Sequence, residues 1–122
     1  MGTKDDFRGV GYWNETLVAS AARTTTGNTG NIFGYGAATS LRVLLDVSAA
    51  SGTTPSLTVL VEDSFDGGTN WNTIGTFAAK TAVSREAINI TTPFSELIRV
   101  SWTITGTTPS FTFSVNTIAR TR

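Results

Sequence analysis

Polar and apolar residues alternate with a period of two along most of this chain. Runs such as "SLRVLLDVS" and "SFTFSVNTI" place every second side chain on one face, which is the pattern of a half-buried β-strand. The pattern predicts about seven strands, at 15–22, 40–48, 56–63, 71–78, 86–91, 97–105 and 110–118. Short strands separated by Gly, Pro, Asn and Ser predict an all-β fold, a single antiparallel β-sandwich.

Two segments lack this alternation. The segment 24–39, "TTTGNTGNIFGYGAAT", is rich in Gly, Thr and Asn and predicts a long loop. The segment 1–14 carries Phe7, Tyr12 and Trp13 between glycines. We therefore predict an extended N-terminal arm over 1–14, followed by the β-sandwich domain over 15–122.

The chain contains an internal repeat. The segments 41–61 and 98–115 share an apolar-Arg-Val start, the sequence GTTPS, and a second alternating run. The repeat predicts two β-hairpins of one design that turn at GTTPS and pack face to face. Their predicted inward residues are Leu41, Val43, Leu45, Val47, Leu57, Val59, Val61, Ile98, Val100, Trp102, Ile104, Phe111, Phe113 and Val115.

Two leucines fall on the outer face of the first predicted hairpin. If the turn centres near Gly52, Leu44 and Leu60 lie directly across from one another. A matched leucine pair on a polar face predicts that a symmetry-related subunit or the N-terminal arm covers it.

The segment 62–71, "EDSFDGGTNW", lies close to the Asp-box of sialidases, Ser-x-Asp-x-Gly-x-Thr-Trp, with Asn70 before the final Trp. Asp66 can cap the following backbone, Gly67 and Gly68 accept positive φ, and Trp71 can cover the turn. A sialidase needs several copies on repeated blades, and this chain has one copy and no room for a propeller. The pattern predicts a structural turn.

Candidate catalytic and metal-binding residues are few. The chain has no histidine and no cysteine, so the commonest general base is missing and Ser64 has no evident activating partner. Glu62, Asp63 and Asp66 are close in sequence; turn-capping carboxylates, a calcium site and a glycosidase pair are the three alternatives, of which capping is favoured. GTTPS is no phosphate loop, because no helix follows it. We expect no enzymatic activity and no cofactor.

Charge and hydropathy limit the partners. Nine basic and nine acidic residues cancel, so the basic excess of a nucleic-acid-binding protein is missing. No apolar run approaches the roughly 20 residues that span a bilayer, and the N-terminus has no apolar segment typical of a signal peptide. The sequence predicts a protein made in a cytoplasm and used in an assembly, without nucleic acid or membrane.

The aromatic residues outside the predicted strands admit three interpretations. They plug the ends of the sandwich, they anchor neighbouring subunits, or they form a platform for sugar rings. Together with the two outer-face leucines they are the candidate interface, which comprises Phe7, Tyr12, Trp13, Phe33, Tyr35, Leu44 and Leu60.

The segments "GTTPSLTVLVEDSFDGGTNW" and "LIRVSWTITGTTPSFTFSVNTIAR" resemble small structural proteins of tailed bacteriophage virions. The resemblance covers the C-terminal two-thirds of the chain and leaves the N-terminal third unmatched. It implies a capsid decoration (cement) protein made in the host bacterial cytoplasm, which binds the major capsid protein as a homo-oligomer, with a trimer favoured. The alternatives are a carbohydrate-binding module on the virion and a tail-tube or head–tail joining subunit.

Overall fold

The computed structural model describes residues 11–121, and this part of the chain consists of β-strands and loops. The strands are β1 (Tyr12–Arg23), β2 (Gly27–Asn28), β3 (Ser40–Ser64), β4 (Asn72–Thr76), β5 (Ser84–Ile90) and β6 (Leu97–Arg120). Within these residues there is no helix with the length and hydropathy to cross a membrane. The predicted all-β class is confirmed, and β2 lies within the predicted long loop.

The two long strands, β3 and β6, organise the fold. They pair antiparallel over their whole length, and both bend sharply at their GTTP segments. Sheet I consists of β1, the second half of β6, the first half of β3, and β5. Sheet II consists of β2, the first half of β6, the second half of β3, and β4. Two four-stranded sheets that share their long strands in this order form a jelly-roll sandwich.

The predicted inward residues form the core between the two sheets. All of them are buried except Trp102, which is half-buried and packs edge-on against Phe113 with ring centroids 5.6 Å apart. Inward positions also pair with inward positions, since Leu45 lies opposite Val115 and Val61 lies opposite Val100. Outside the two corners, the alternation along β3 and β6 therefore specifies which of their side chains enter the core.

The prediction of two hairpins was wrong. Each GTTPS segment is a corner at which one long strand passes from one sheet to the other, and Ser51 lies opposite Ser110 across the ladder. Two alternating runs joined by a Gly/Pro segment look the same in sequence whether the chain turns back or bends. Only the pairing partner distinguishes the two cases, and here each repeat pairs with the other repeat.

The two corners cross in a reciprocal arrangement. A Cβ on Gly52 would lie 2.8 Å from the Cα of Pro109, and a Cβ on Gly106 would lie 2.9 Å from the Cα of Pro55. Both glycines have positive φ, 115° and 122° respectively. The threonines two residues later are also in the left-handed region, at 46° for both Thr54 and Thr108. The repeated sequence thus provides the same bend twice.

The proposed Leu44–Leu60 pair does not exist in this fold. Leu44 lies on the outer face of sheet I, opposite Asn116 and Ala87. Leu60 lies on the outer face of sheet II, opposite Ser101 and Thr76. The predicted pairing of Leu44 with Leu60 assumed that the chain turns back at Gly52. Because the segment is a corner instead, each leucine pairs with a residue of β6.

The first strand begins inside the segment 1–14 that was predicted to be an extended arm. Strand β1 begins at Tyr12, and Trp13 is 2% exposed and packs against Tyr35 with ring centroids 5.7 Å apart. Trp13, Glu15 and Leu17 are the inward positions at the start of β1, so the alternation of the strand extends to the N-terminal side of residue 15. The nearby glycines hid this pattern in the sequence. Residues 1–10, including Phe7, lie outside the described residues.

Candidate interaction surface

The two ends of the sandwich differ in their loops. One end, here called the loop end, carries the connections 29–39, 64–71 and 91–96, together with the start of β1 and the end of β6. The opposite end, the corner end, carries the two GTTP bends and the connection 77–83. The loops place side chains without requiring them to satisfy the alternation of a strand.

Exposed aromatic side chains are concentrated at the loop end. Tyr12 is 53% exposed, Phe33 is 58% exposed and Phe65 is 83% exposed. Each belongs to a different segment, β1, the loop 29–39 and the turn 64–71. Phe65 also borders a shallow depression of about 410 Å³ with Pro93 and Phe94. Three aromatic rings from separate segments thus share one end of the molecule, which we call the aromatic end surface.

Two of the predicted interface aromatics are core residues of this chain. Tyr35 is fully buried, and its hydroxyl donates a hydrogen bond to a carboxylate oxygen of Glu15. Burial, and then the hydrogen bond and charge of Glu15, raise the pKa of the Tyr35 hydroxyl far above its ordinary value. Trp13 and Tyr35 therefore attach the loop 29–39 to β1, as the plugging interpretation describes. Tyr12 and Phe33 remain at the surface.

Phe65 was missed as a candidate although its segment was singled out. It occupies the variable position of the Ser-x-Asp pattern, and the pattern explains its exposure. The Ser64 hydroxyl donates to Asp66 Oδ1 at 2.9 Å and accepts from the Gly68 N–H at 2.9 Å. The Trp71 indole N–H donates to the Gly68 carbonyl at 3.1 Å. The prediction of a structural turn is confirmed, and the turn directs Phe65 into solvent.

The three neighbouring acids have separate partners. The Glu62 carboxylate forms an ion pair with Arg99, with 2.7 Å between Oε1 and Nε. The guanidinium of Arg99 also lies 4.4 Å from the centroid of the Trp71 ring. Asp63 is 2% exposed and accepts the backbone N–H of Ser95 at 3.0 Å. Among residues 11–121, no three His, Cys, Asp or Glu side chains are grouped as a metal site would require.

Asp66 makes the turn sensitive to acid. The backbone N–H and then the side-chain amide of Asn70, followed by the Ser64 hydroxyl, lower the pKa of Asp66 to about 2. Because an unfolded Asp has a pKa of about 3.9, its ionised form stabilises the fold above that pH, and this contribution is lost as the pH falls through about 2. We expect Asp66→Asn to lower the thermal midpoint at pH 7 and to have little effect near pH 2.

Thermal unfolding at several pH values tests this expectation. Glu96→Gln is the matched control, because it removes an exposed carboxylate from the same end of the molecule. A loss that is equal in the two variants at every pH would contradict the assigned role of Asp66.

A groove of about 460 Å³ crosses the outer face of sheet I. Leu44, Ala87 and Ile118 are the apolar side chains that line it, and Asn14, Thr16, Arg42 and Asn116 are among its polar residues. Arg42 donates to Asn89 Oδ1 at 2.8 Å, and the Thr16 hydroxyl donates to Asn116 Oδ1 at 2.8 Å. Leu44, a predicted interface residue, thus lies in a concave surface, whereas Leu60 is flanked by small polar residues of sheet II.

Comparisons with known proteins show the fold. No protein-family model and no curated protein matches the chain. The prophage-derived protein YomS of SPBc2 is similar over 94% of this chain and 97% of its own, with 12% identity and a TM-score of 0.54. A chain of infectious bursal disease virus, Gt strain, is similar over 93% of this chain and 33% of its own, with 11% identity and a TM-score of 0.56.

Part of a bacterial enzyme chain has a similar fold. The Clostridium thermocellum xylanase 10B structure with CBM22-1 and GH10 modules is similar over 92% of this chain and 26% of its own, with 17% identity and a TM-score of 0.54. The chain therefore spans a third or less of the virus and xylanase chains, and nearly the whole of YomS.

Proposed function

We propose that this chain is a non-enzymatic structural protein of a bacteriophage virion, and that it acts as a capsid decoration protein on the assembled shell. The observation that carries the proposal is the aromatic end surface, where Tyr12, Phe33 and Phe65 are exposed. Exposed aromatic side chains gathered from separate segments are typical of protein-binding surfaces, where they contribute most of the binding energy.

Two further observations support this proposal. The fold is shared with a prophage-derived protein along almost the full length of both chains, and with part of a virus chain. The groups that a hydrolase would use also have structural partners: Ser64 and Asp66 close a turn, and Glu62 pairs with Arg99. The proposed partner is the major capsid protein, and the proposed location is the virion after synthesis in the host cytoplasm.

The mechanism is mass action. A protein that binds the assembled shell and not its free subunits stabilises the shell by its binding free energy. No covalent step is required, and the effect increases with the concentration of decoration protein until the sites are filled. The sandwich serves as a rigid body that presents the three aromatic rings together.

A carbohydrate-binding role is the second candidate. The fold is similar to part of a xylanase chain whose structure contains a CBM22-1 module, and exposed aromatic rings can stack on sugar rings. Binding of the isolated protein to a glycan array, lost in a Phe33→Ser/Phe65→Ser variant, would favour this candidate over shell binding.

The proposed binding to the shell depends on the exposed aromatic rings. We expect the Phe33→Ser/Phe65→Ser variant to bind shells that lack this protein at least about tenfold more weakly, since losing two interface aromatics exceeds about 1.4 kcal/mol. Co-sedimentation with purified shells measures the change. Both side chains are exposed, so the thermal midpoint of the isolated protein should stay close to that of the wild type.

Val83→Ser is the matched control for this experiment. Val83 is 65% exposed but lies at the corner end, so its replacement should leave shell binding unchanged. Equal binding by the double variant and the wild type would rule out the aromatic end surface as the contact.

A further inference from the structure

Two arginines of sheet I, here called the arginine pair, lie side by side on its outer face. Arg42 of β3 lies opposite Ile118 of β6, and Arg120 follows Ile118 by two residues, so the two arginines are diagonal neighbours on adjacent strands. Diagonal neighbours in an antiparallel sheet are roughly 7–8 Å apart. Both side chains are exposed, and neither takes part in an ion pair within residues 11–121. Because two like charges this close repel each other, the arginine pair favours an anionic partner.

Neighbouring side chains hold each guanidinium group and leave donors for a partner. Arg42 donates one hydrogen bond, from Nη1 to Oδ1 of Asn89 at 2.8 Å. The guanidinium of Arg120 lies over the ring of Tyr12, 5.8 Å from its centroid, and a contact with a ring face uses no N–H group. A guanidinium has its N–H donors in a planar fork that matches the two oxygens of a carboxylate. The arginine pair can therefore bind two carboxylates.

The arginine pair borders the aromatic end surface. Both arginines line a depression of about 260 Å³, which extends to Thr91 in the connection 91–96. The same connection borders the depression beside Phe65. Tyr12, against which Arg120 lies, is itself one of the three rings of the aromatic end surface. A protein that covers these rings therefore meets the arginine pair at the edge of the contact.

We propose that the arginine pair binds an acidic segment of that protein, with carboxylate side chains at alternate positions of an extended chain. The partner is the shell protein of the proposed function, on which this inference rests. Side chains two residues apart on an extended chain point to one side and are about 7 Å apart, close to the separation of the two arginines. Ile118 is 38% exposed and lies next to both arginines, where it offers an apolar contact to the methylene groups of the bound side chains.

The arginine pair is expected to act chiefly on the rate of association. Charges at the edge of a protein contact steer the approach of the partner, whereas the dissociation rate depends on the well-packed centre of the contact. Salt screens this steering, because the Debye length falls from about 8 Å at 0.15 M to about 3 Å at 1 M. Shell binding should therefore be faster at low salt, by an amount that depends on the two arginines.

Association with purified shells that lack this protein tests the arginine pair. Arg42→Gln and Arg120→Gln are each expected to slow association about threefold at low salt and to approach the wild-type rate at about 0.5 M salt. Arg85→Gln is the matched control and should keep the wild-type rate, because Arg85 lies at the corner end of the same face, beside Asp46. All three arginines are exposed, so the thermal midpoints of the variants should stay close to that of the wild type.

The Phe33→Ser/Phe65→Ser variant distinguishes failure of this inference from failure of the proposed function. If that variant loses shell binding while Arg42→Gln and Arg120→Gln associate at the wild-type rate at every salt concentration, the acidic segment is ruled out and the aromatic end surface stands. If that variant binds like the wild type, the aromatic end surface is ruled out, whatever the arginine variants do.

A titration of the isolated protein identifies the kind of anion. The probes are a peptide with glutamates at alternate positions and an oligogalacturonate of equal charge. We expect the peptide to bind more tightly, to shift the NMR signals of the Arg42 and Arg120 side chains, and to lose binding in Arg42→Gln/Arg120→Gln. Tighter binding of the oligogalacturonate would indicate an acidic glycan and overturn the proposal. Tighter peptide binding by Asp5→Asn/Asp6→Asn would mean that acids of the chain itself compete for the arginines, and would overturn it as well.

Discussion

Gly52→Ala is expected to lower the free energy of unfolding by about 2–5 kcal/mol, combining the cost of a strained backbone with that of overpacking. The φ of Gly52 is +115°, which a residue with a Cβ rarely adopts. The added methyl group would also lie 2.8 Å from the Pro109 Cα and 2.9 Å from the Thr108 carbonyl oxygen. Both contacts are with the backbone of the other corner, which cannot move aside without disturbing β6.

Gly67→Ala separates the cost of backbone strain from the cost of overpacking. Gly67 has a φ of +74° and nothing within 4 Å of the position of an added Cβ, so only the backbone penalty of about 1–2 kcal/mol applies. Denaturant unfolding of both variants gives the comparison. Losses of the same size would mean that the contact of the added methyl group with the other corner costs nothing. Gly106→Ala should resemble Gly52→Ala, because the corners are reciprocal.

Phe113→Ala is expected to cost about 3–5 kcal/mol, the usual range for deleting a fully buried aromatic ring. The ring is inaccessible to solvent, packs against Trp102, and lies 4.8 Å from the Arg23 guanidinium. Because Phe113 belongs to sheet I and Trp102 belongs to sheet II, the truncation leaves a cavity at the contact between the sheets. The guanidinium of Arg23 would also lose one of the two rings that it covers.

The matched control for this prediction is Ser114→Ala, the next residue on β6. Its side chain points to the outer face, so the change in the free energy of unfolding should stay within about 0.5 kcal/mol. Chemical denaturation measures both variants. A loss below about 1 kcal/mol for Phe113→Ala would contradict its place in the core.

The amino-acid sequence determined the properties that depend on neighbours along the chain. Alternation with a period of two identified the inward residues, because successive side chains of a strand point to opposite faces. The turn at 64–71 was also predictable, since Ser64, Asp66 and Asn70 hydrogen-bond within one short segment. Both features arise locally and need no knowledge of the rest of the fold.

Tertiary structure decided the features that depend on which distant segments meet. GTTPS is compatible with a turn or a corner, and the pairing of each repeat with the other selects the corner. The burial of Trp13 and Tyr35 follows from the packing of the loop 29–39 against β1. Leu44 and Leu60 each have polar or charged residues two positions away on both sides, yet the two leucines lie on opposite sheets. Whether a side chain is buried, and which residue it pairs with, depends on two distant segments that come together. The local sequence pattern describes only one of those two segments.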